Sequence, residues 1–186
     1  MIYVALLRGI NVGGNNKVDM KKLKTTFELL GFKNVVTYIN SGNIIFEELL
    51  NGQDAIANKI EKAIKHDFQL EIKVLLRNIE NIEAIYRELP TSWIKNEIMR
   101  TDVMFLWDEF DSPQIMEHMQ INPVDNVKYV PGAVLWNVEG KNYSNSGMLK
   151  LMGTKLYKNM TIRNVNTFRK LHQIMTNINE QKKTNR

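Results

Sequence analysis

The chain has 186 residues, no cysteine, and a formal net charge of +5 from 25 Lys and Arg against 20 Asp and Glu. That length holds one domain or two small ones and buries a core without staples. The missing cysteine excludes a disulfide scaffold, thiolate metal sites and a cysteine nucleophile. The longest apolar runs, Ile2 to Leu7 and Val103 to Trp107, fall far short of the ~20 residues of a membrane span. With no export signal at the N-terminus, the expectation is a soluble, cytoplasmic protein with no membrane partner.

Ile2–Leu7 is continuously apolar, the pattern of a central strand covered on both faces. A Gly/Asn loop follows from Gly9 to Asn16, and Asp19 reads as the N-cap of a helix carrying Met20, Leu23, Phe27 and Leu30. Gly31 suits that helix's C-terminus. Segments 35–39 and 43–46 read as strands joined by a tight turn at Ser41-Gly42. Ile56, Ile60, Ala63 and Ile64 mark a second helix, and Leu70, Ile72, Val74 and Leu76 alternate as a half-buried strand. The order β-α-β-β-α-β is the ferredoxin-like pattern.

A helix over 79–89 leads to Pro90 and a linker ending at Trp93. Beyond it the sequence predicts a strand over 102–107, a helix over 113–119, and paired strands 127–130 and 133–138 across Pro131-Gly132. A short strand is expected at Asn142-Tyr143. Two C-terminal helices are expected, the first carrying Met148, Met152 and Leu156, the second Phe168, Leu171, Met175 and Ile178. The chain therefore reads as α+β in two subdomains. Residues 1–77 form the ferredoxin-like one, 78–100 a helix and linker, and 101–186 a smaller α+β unit with two basic C-terminal helices. No sequence repeat is visible, so only the element order suggests a duplication. Residues 181–186 are expected to fray.

Charge is unevenly distributed along the chain. Residues 141–186 hold ten Lys or Arg and one acid, a net +9, while residues 1–140 hold 15 bases and 19 acids, a net −4. A basic segment of this kind is the footprint of a phosphate or nucleic-acid binder. The alternative is that it docks on the acidic stretch 80–139.

Three polar segments carry candidate site residues. In the first, Arg8 to Lys17, a loop between strand and helix can present backbone N–H groups to an anion. The candidates are Arg8, Asn11, Gly13, Gly14 and Lys17. This is no Walker loop, because Asn15 stands where Lys is required. Asp19 would oppose a phosphate at the helix start, which leaves Arg8 or Lys17 to attract it. The second segment supplies Ser41 and Asn43. In a βαββαβ unit the first and second strands run the same way, so the exit of strand one and the turn between strands two and three share one sheet end. The third segment, Thr161 to Thr167, supplies Arg163 and Asn164, with Lys155 nearby. Helix capping by Asn and Thr explains part of that segment, but not Arg163.

The stretches Tyr3 to Gly14 (YVALLRGINVGG), Thr37 to Asn43 (TYINSGN) and Thr161 to Thr167 (TIRNVNT), together with Lys17, Gly31-Phe32, Leu89-Pro90 and Trp93, resemble the bacterial domain-of-unknown-function 1697 family over nearly the whole chain. Asn40 stands where that family often has Gln, and Ser92 and Val165 where it often has Trp. The Val165 departure removes a stacking platform. The resemblance implies a two-subdomain α+β fold and no established activity.

Other chemistries lack their residues. His66, His118 and His172 are scattered and without cysteine partners, so no metal site is expected. No G-x-S-x-G elbow is present. The pairs Glu47-Glu48 and Asp108-Glu109 would point to opposite faces of a strand, a poor arrangement for acid–base work. No cofactor motif is present. The leading expectation is a binding module for a phosphate-bearing ligand, nucleic acid or nucleotide. The alternatives are an enzyme on a small anionic metabolite and a structural or partner-binding protein whose polar motifs only lock loops. Catalytic residues and oligomeric state are not legible.

Overall fold

A computed structural model describes residues 1–49 and 52–184. Strand β1 (Ile2–Leu7) is buried along its whole length, as six consecutive apolar residues require. Helix α1 (Met20–Leu29) starts at Asp19, whose side chain accepts from the Lys22 N–H at 2.8 Å. It ends at Gly31, held at φ +88°, with the Phe32 N–H returning to the Phe27 carbonyl. Strand β2 (Lys33–Tyr38) is irregular near Asn34 and pairs with β3 (Asn43–Glu47). Helix α2 (Gln53–Phe68) buries Ile56, Ile60 and Ile64, and β4 (Val74–Asn78) closes the sheet.

The sheet order is β2-β3-β1-β4, with every neighbouring pair antiparallel. This is the ferredoxin-like arrangement expected from the sequence. One sheet face packs Tyr3, Ala5 and Leu7 against Phe27, Phe32, Phe46, Ile60 and Ile64. The expected strand from Leu70 begins only at Val74. Val74 is the register partner of Leu7, the last residue of β1, so the preceding residues have no strand to pair with.

Helix α3 (Ile79–Glu88) follows directly. Contacts divide the chain into one unit of Met1–Ile79 with Leu171–Arg186 and a second of Glu80–Lys170. The second unit holds β5 (Met99–Leu106), β6 (Asp125–Val130), β7 (Ala133–Glu139), the five-residue helix α4 (Gly147–Leu151) and β8 (Met160–Asn164). Its sheet runs β6-β7-β5-β8, again antiparallel throughout. Taken in chain order, the four strands of each unit occupy the same places in their sheet. Met104, Val134, Trp136, Met148, Leu151 and Met160 form this unit's core on one sheet face.

Asn142-Tyr143 lies in a 3-10 helix (Gly140–Asn145), not a strand. Segment 113–119 is also 3-10, over Pro113–His118. The helix expected to carry Met148, Met152 and Leu156 stops at Leu151, because Met152 is extended and Gly153 takes φ +93°. Met160–Asn164, read only as a polar lead into the last helix, is an edge strand beside β5.

Helix α5 (Val165–Thr184) is continuous through the expected frayed end as far as Thr184, while 185–186 lie outside the described residues. Its later residues belong to the first unit. There Lys182 pairs with the buried Glu47 carboxylate, which also accepts from Asn34 Nδ2 at 3.0 Å. Burial pushes the Glu47 pKa up, but the Lys182 and Asn34 hydrogen bonds outweigh it and leave it lowered.

Candidate functional site

The polar end of the first sheet is built by the strand directions. Leu7 ends β1 and donates its N–H to the Gly42 carbonyl at 2.8 Å, which joins the β1 exit to the β2–β3 turn. Gly42 is required there: φ is +74°, and a Cβ would lie 2.7 Å from the Leu7 Cβ.

Asn11 fastens the glycine loop to that turn. Its Nδ2 donates to the Val18 carbonyl at 3.0 Å and to the Asn40 carbonyl at 2.9 Å, and its Oδ1 accepts from the Val18 N–H at 2.8 Å. Asn16 adds a bond to the Gly9 carbonyl at 2.9 Å. Both asparagines take positive φ, +53° and +48°, which Asn tolerates better than most residues. The fully buried Asn43 donates to the Tyr38 carbonyl at 3.0 Å and to Ser41 Oγ at 2.9 Å. Asn11 and Asn43 thus hold backbone.

What the loop leaves to solvent is different in kind. Val12 through Lys17 are exposed, and Arg8 is half-buried. Gly13 and Gly14, at φ +57° and +80°, make no backbone N–H hydrogen bond among the described residues. Arg8, Gly13, Gly14, Lys17, Asn11, Ser41 and Asn43 therefore converge at one sheet end. The Asp19 carboxylate is engaged by its own helix.

The same end gathers groups that the sequence reasoning left aside. Lys22 on α1 donates to the Asp67 carbonyl at 2.6 Å, which brings the start of α1 beside the end of α2. The Thr26 hydroxyl, 2.5 Å from Asp67 Oδ2, and then His66 hold the Asp67 carboxyl below its usual range. Lys73 precedes Val74, whose register partner Leu7 precedes Arg8. The signal that could have found Lys73 is the antiparallel β1–β4 pairing, which follows from the topology alone.

Lys155, Arg163 and Asn164 belong to the second unit. Lys155 is exposed beside a 3-10 turn (Leu156–Asn159). Asn164 Oδ1 accepts from the Thr167 N–H at 3.0 Å and caps α5. Arg163 is only 7% exposed. Its guanidinium donates to Thr161 Oγ1 at 3.0 Å and to the Ile162 carbonyl at 2.9 Å. Desolvation lowers its pKa to about 10.

The units also differ in charge. By sequence the first carries 14 bases and nine acids, a net +5, and the second carries 11 of each. Among the described residues, no group of three or more His, Asp or Glu side chains could hold a metal ion, and no helix is long and apolar enough to cross a membrane.

Residues 1–136 match the family described as Protein of unknown function (DUF1697). A solved structure titled as a conserved bacterial protein from Streptococcus pneumoniae is 30% identical, with a TM-score of 0.81 over 94% of this chain and 98% of that chain. No curated protein matches the sequence.

Proposed function

We propose, from the premise that this chain belongs to the DUF1697 family, that it binds a phosphate-bearing ligand, nucleic acid or nucleotide, at the loop end of its first sheet. One observation carries the reading: the whole net charge of +5 falls in the unit that also presents the exposed glycine loop. Arg8 and Lys17 supply the attraction. The Gly13 and Gly14 N–H groups supply directional donors to phosphate oxygens. Asn11, Ser41 and Asn43 are positioning residues that fix the loop's shape and do not touch the ligand. Arg163 and Asn164 serve β8 and the start of α5, and Lys155 belongs to the second unit.

The test is fluorescence anisotropy of short labelled RNA and DNA strands over a range of salt. Single strands should bind at low salt and weaken with a log–log slope of about −0.7 per neutralised phosphate. No binding at low salt would overturn the reading. A second reading, that the polar segments only lock loops, is favoured by the hydrogen bonds of Asn11 and Asn43. Under it Arg8→Gln with Lys17→Gln changes no binding. Under the first, that pair weakens binding and leaves the fold intact.

A further inference from the structure

The first unit also has a concave feature lined by none of the glycine-loop residues. A cleft of about 470 Å³ lies between α2, which contributes Asn58, Glu61, Lys62 and Lys65, and the lead into β4, which contributes Glu71, Ile72 and Lys73. The helical residues are spaced i, i+3, i+4 and i+7, so one face of α2 forms the wall.

The acidic groups of this cleft are engaged. Glu61 Oε1 accepts the Val74 N–H at 2.9 Å, a bond that holds the start of β4 against α2. Glu71 pairs with Lys65 at 2.5 Å, and that hydrogen bond lowers the Glu71 pKa and raises that of Lys65. The Lys62 and Lys73 side chains are exposed and make no hydrogen bond or ion pair among the described residues. Buried Ile72 leaves an apolar element in the lining.

The cleft's two carboxylates are held elsewhere, Glu61 by the Val74 N–H and Glu71 by Lys65, so the Lys62 and Lys73 ammonium groups have no direct ion-pair partner among the described residues and a multivalent anion between them offsets their repulsion. Asn58 adds an amide donor. We propose that this cleft binds an oligophosphate, the chain of linked phosphates carried by nucleoside di- and triphosphates, with Lys62 and Lys73 on its oxygens. The exposed Lys65–Glu71 pair costs little to open, so Lys65 is available as a third cation. The cleft stands on groups separate from those of the loop, so either site can fail without the other.

The test is a titration of the full chain with inorganic tripolyphosphate, followed by amide 15N–1H spectra. Saturable shifts are expected at residues 58–65 and 71–74. The double variant Lys62→Gln, Lys73→Gln should weaken them at least tenfold while its remaining spectrum stays that of the folded protein. Arg8→Gln with Lys17→Gln should leave them in place. Absence of saturable shifts at these residues, or shifts that the Lys62, Lys73 double variant leaves unchanged, would overturn the proposal. Failure of oligonucleotide binding with these shifts intact would count against the loop reading alone.

Discussion

Half-buried Asn11 satisfies three backbone groups with one side chain, so its truncation leaves those groups without their partner. Asn11→Ala should lower stability by about 2 kcal/mol, measured by urea unfolding, and should weaken ligand binding through loss of loop shape. Ile39 is the opposite case. It is β-branched, 48% exposed and held at φ +49°, a conformation that costs such a residue roughly 1–2 kcal/mol. Ile39→Asn should therefore raise stability by about 1 kcal/mol, seen as a higher Tm. In the second unit, Asp125 accepts from Ser146 Oγ, Trp136 Nε1 and the Asn122 and Gly147 N–H groups. Burial raises its pKa, but these hydrogen bonds outweigh it and hold the carboxyl below its ordinary 3.8. A depressed folded pKa means that the stabilisation is present above the unfolded value and is lost as pH falls through the folded one. Asp125→Asn should destabilise the protein at neutral pH and flatten the acid limb of stability below about 3.8, read from unfolding midpoints against pH. The glycine–asparagine loop was legible as residues because its types are unusual. Asp125 was not, since three of its four donors, Trp136, Ser146 and Gly147, lie 11 to 22 residues away along the chain.

Among elements, the sequence is most legible where apolar period and punctuation agree. β1, α1 and the β2–β3 turn carry both signals: the apolar run, the Asp19 cap, and glycines at positions of positive φ. The turn therefore admits a sharp prediction. Gly42→Ala would place a methyl 2.7 Å from Leu7 Cβ at φ +74°, and should lower stability by about 2–3 kcal/mol and weaken binding, both measured on the same sample. Elsewhere the signals conflict. Met148, Met152 and Leu156 keep helical spacing, yet Gly153 breaks the chain and leaves Met152 exposed. In β8 a buried Thr161 and a buried Arg163 flank half-buried Ile162, so beyond Met160 the buried positions of this strand are polar. No periodicity rule recovers that, because the burial of Arg163 depends on the strand it pairs with and on neutral oxygens at Thr161 and Ile162.

At the level of the whole molecule, charge along the chain and charge by unit give different pictures. The basic segment 141–186 is divided between the units, and what remains is a neutral second unit and a first unit of net +5. The two-subdomain α+β organisation was legible from element order, and so was the convergence of the 8–17 loop with the 41–43 turn, which strand direction dictates. The division of α5 between units was not, because it rests on contacts distant in sequence, such as Lys182 with Glu47. If the first unit is the phosphate-binding one, Arg8→Gln with Lys17→Gln should shallow the salt slope for single strands by about 1.4. The most direct measurement is an amide 15N–1H titration of the full chain with a short single-stranded oligonucleotide. Shifts are expected at residues 8–17 and 40–43 and none at the exposed Lys155 turn of the second unit. Shifts confined to the second unit, or none at low salt, would contradict binding at the loop end of the first sheet.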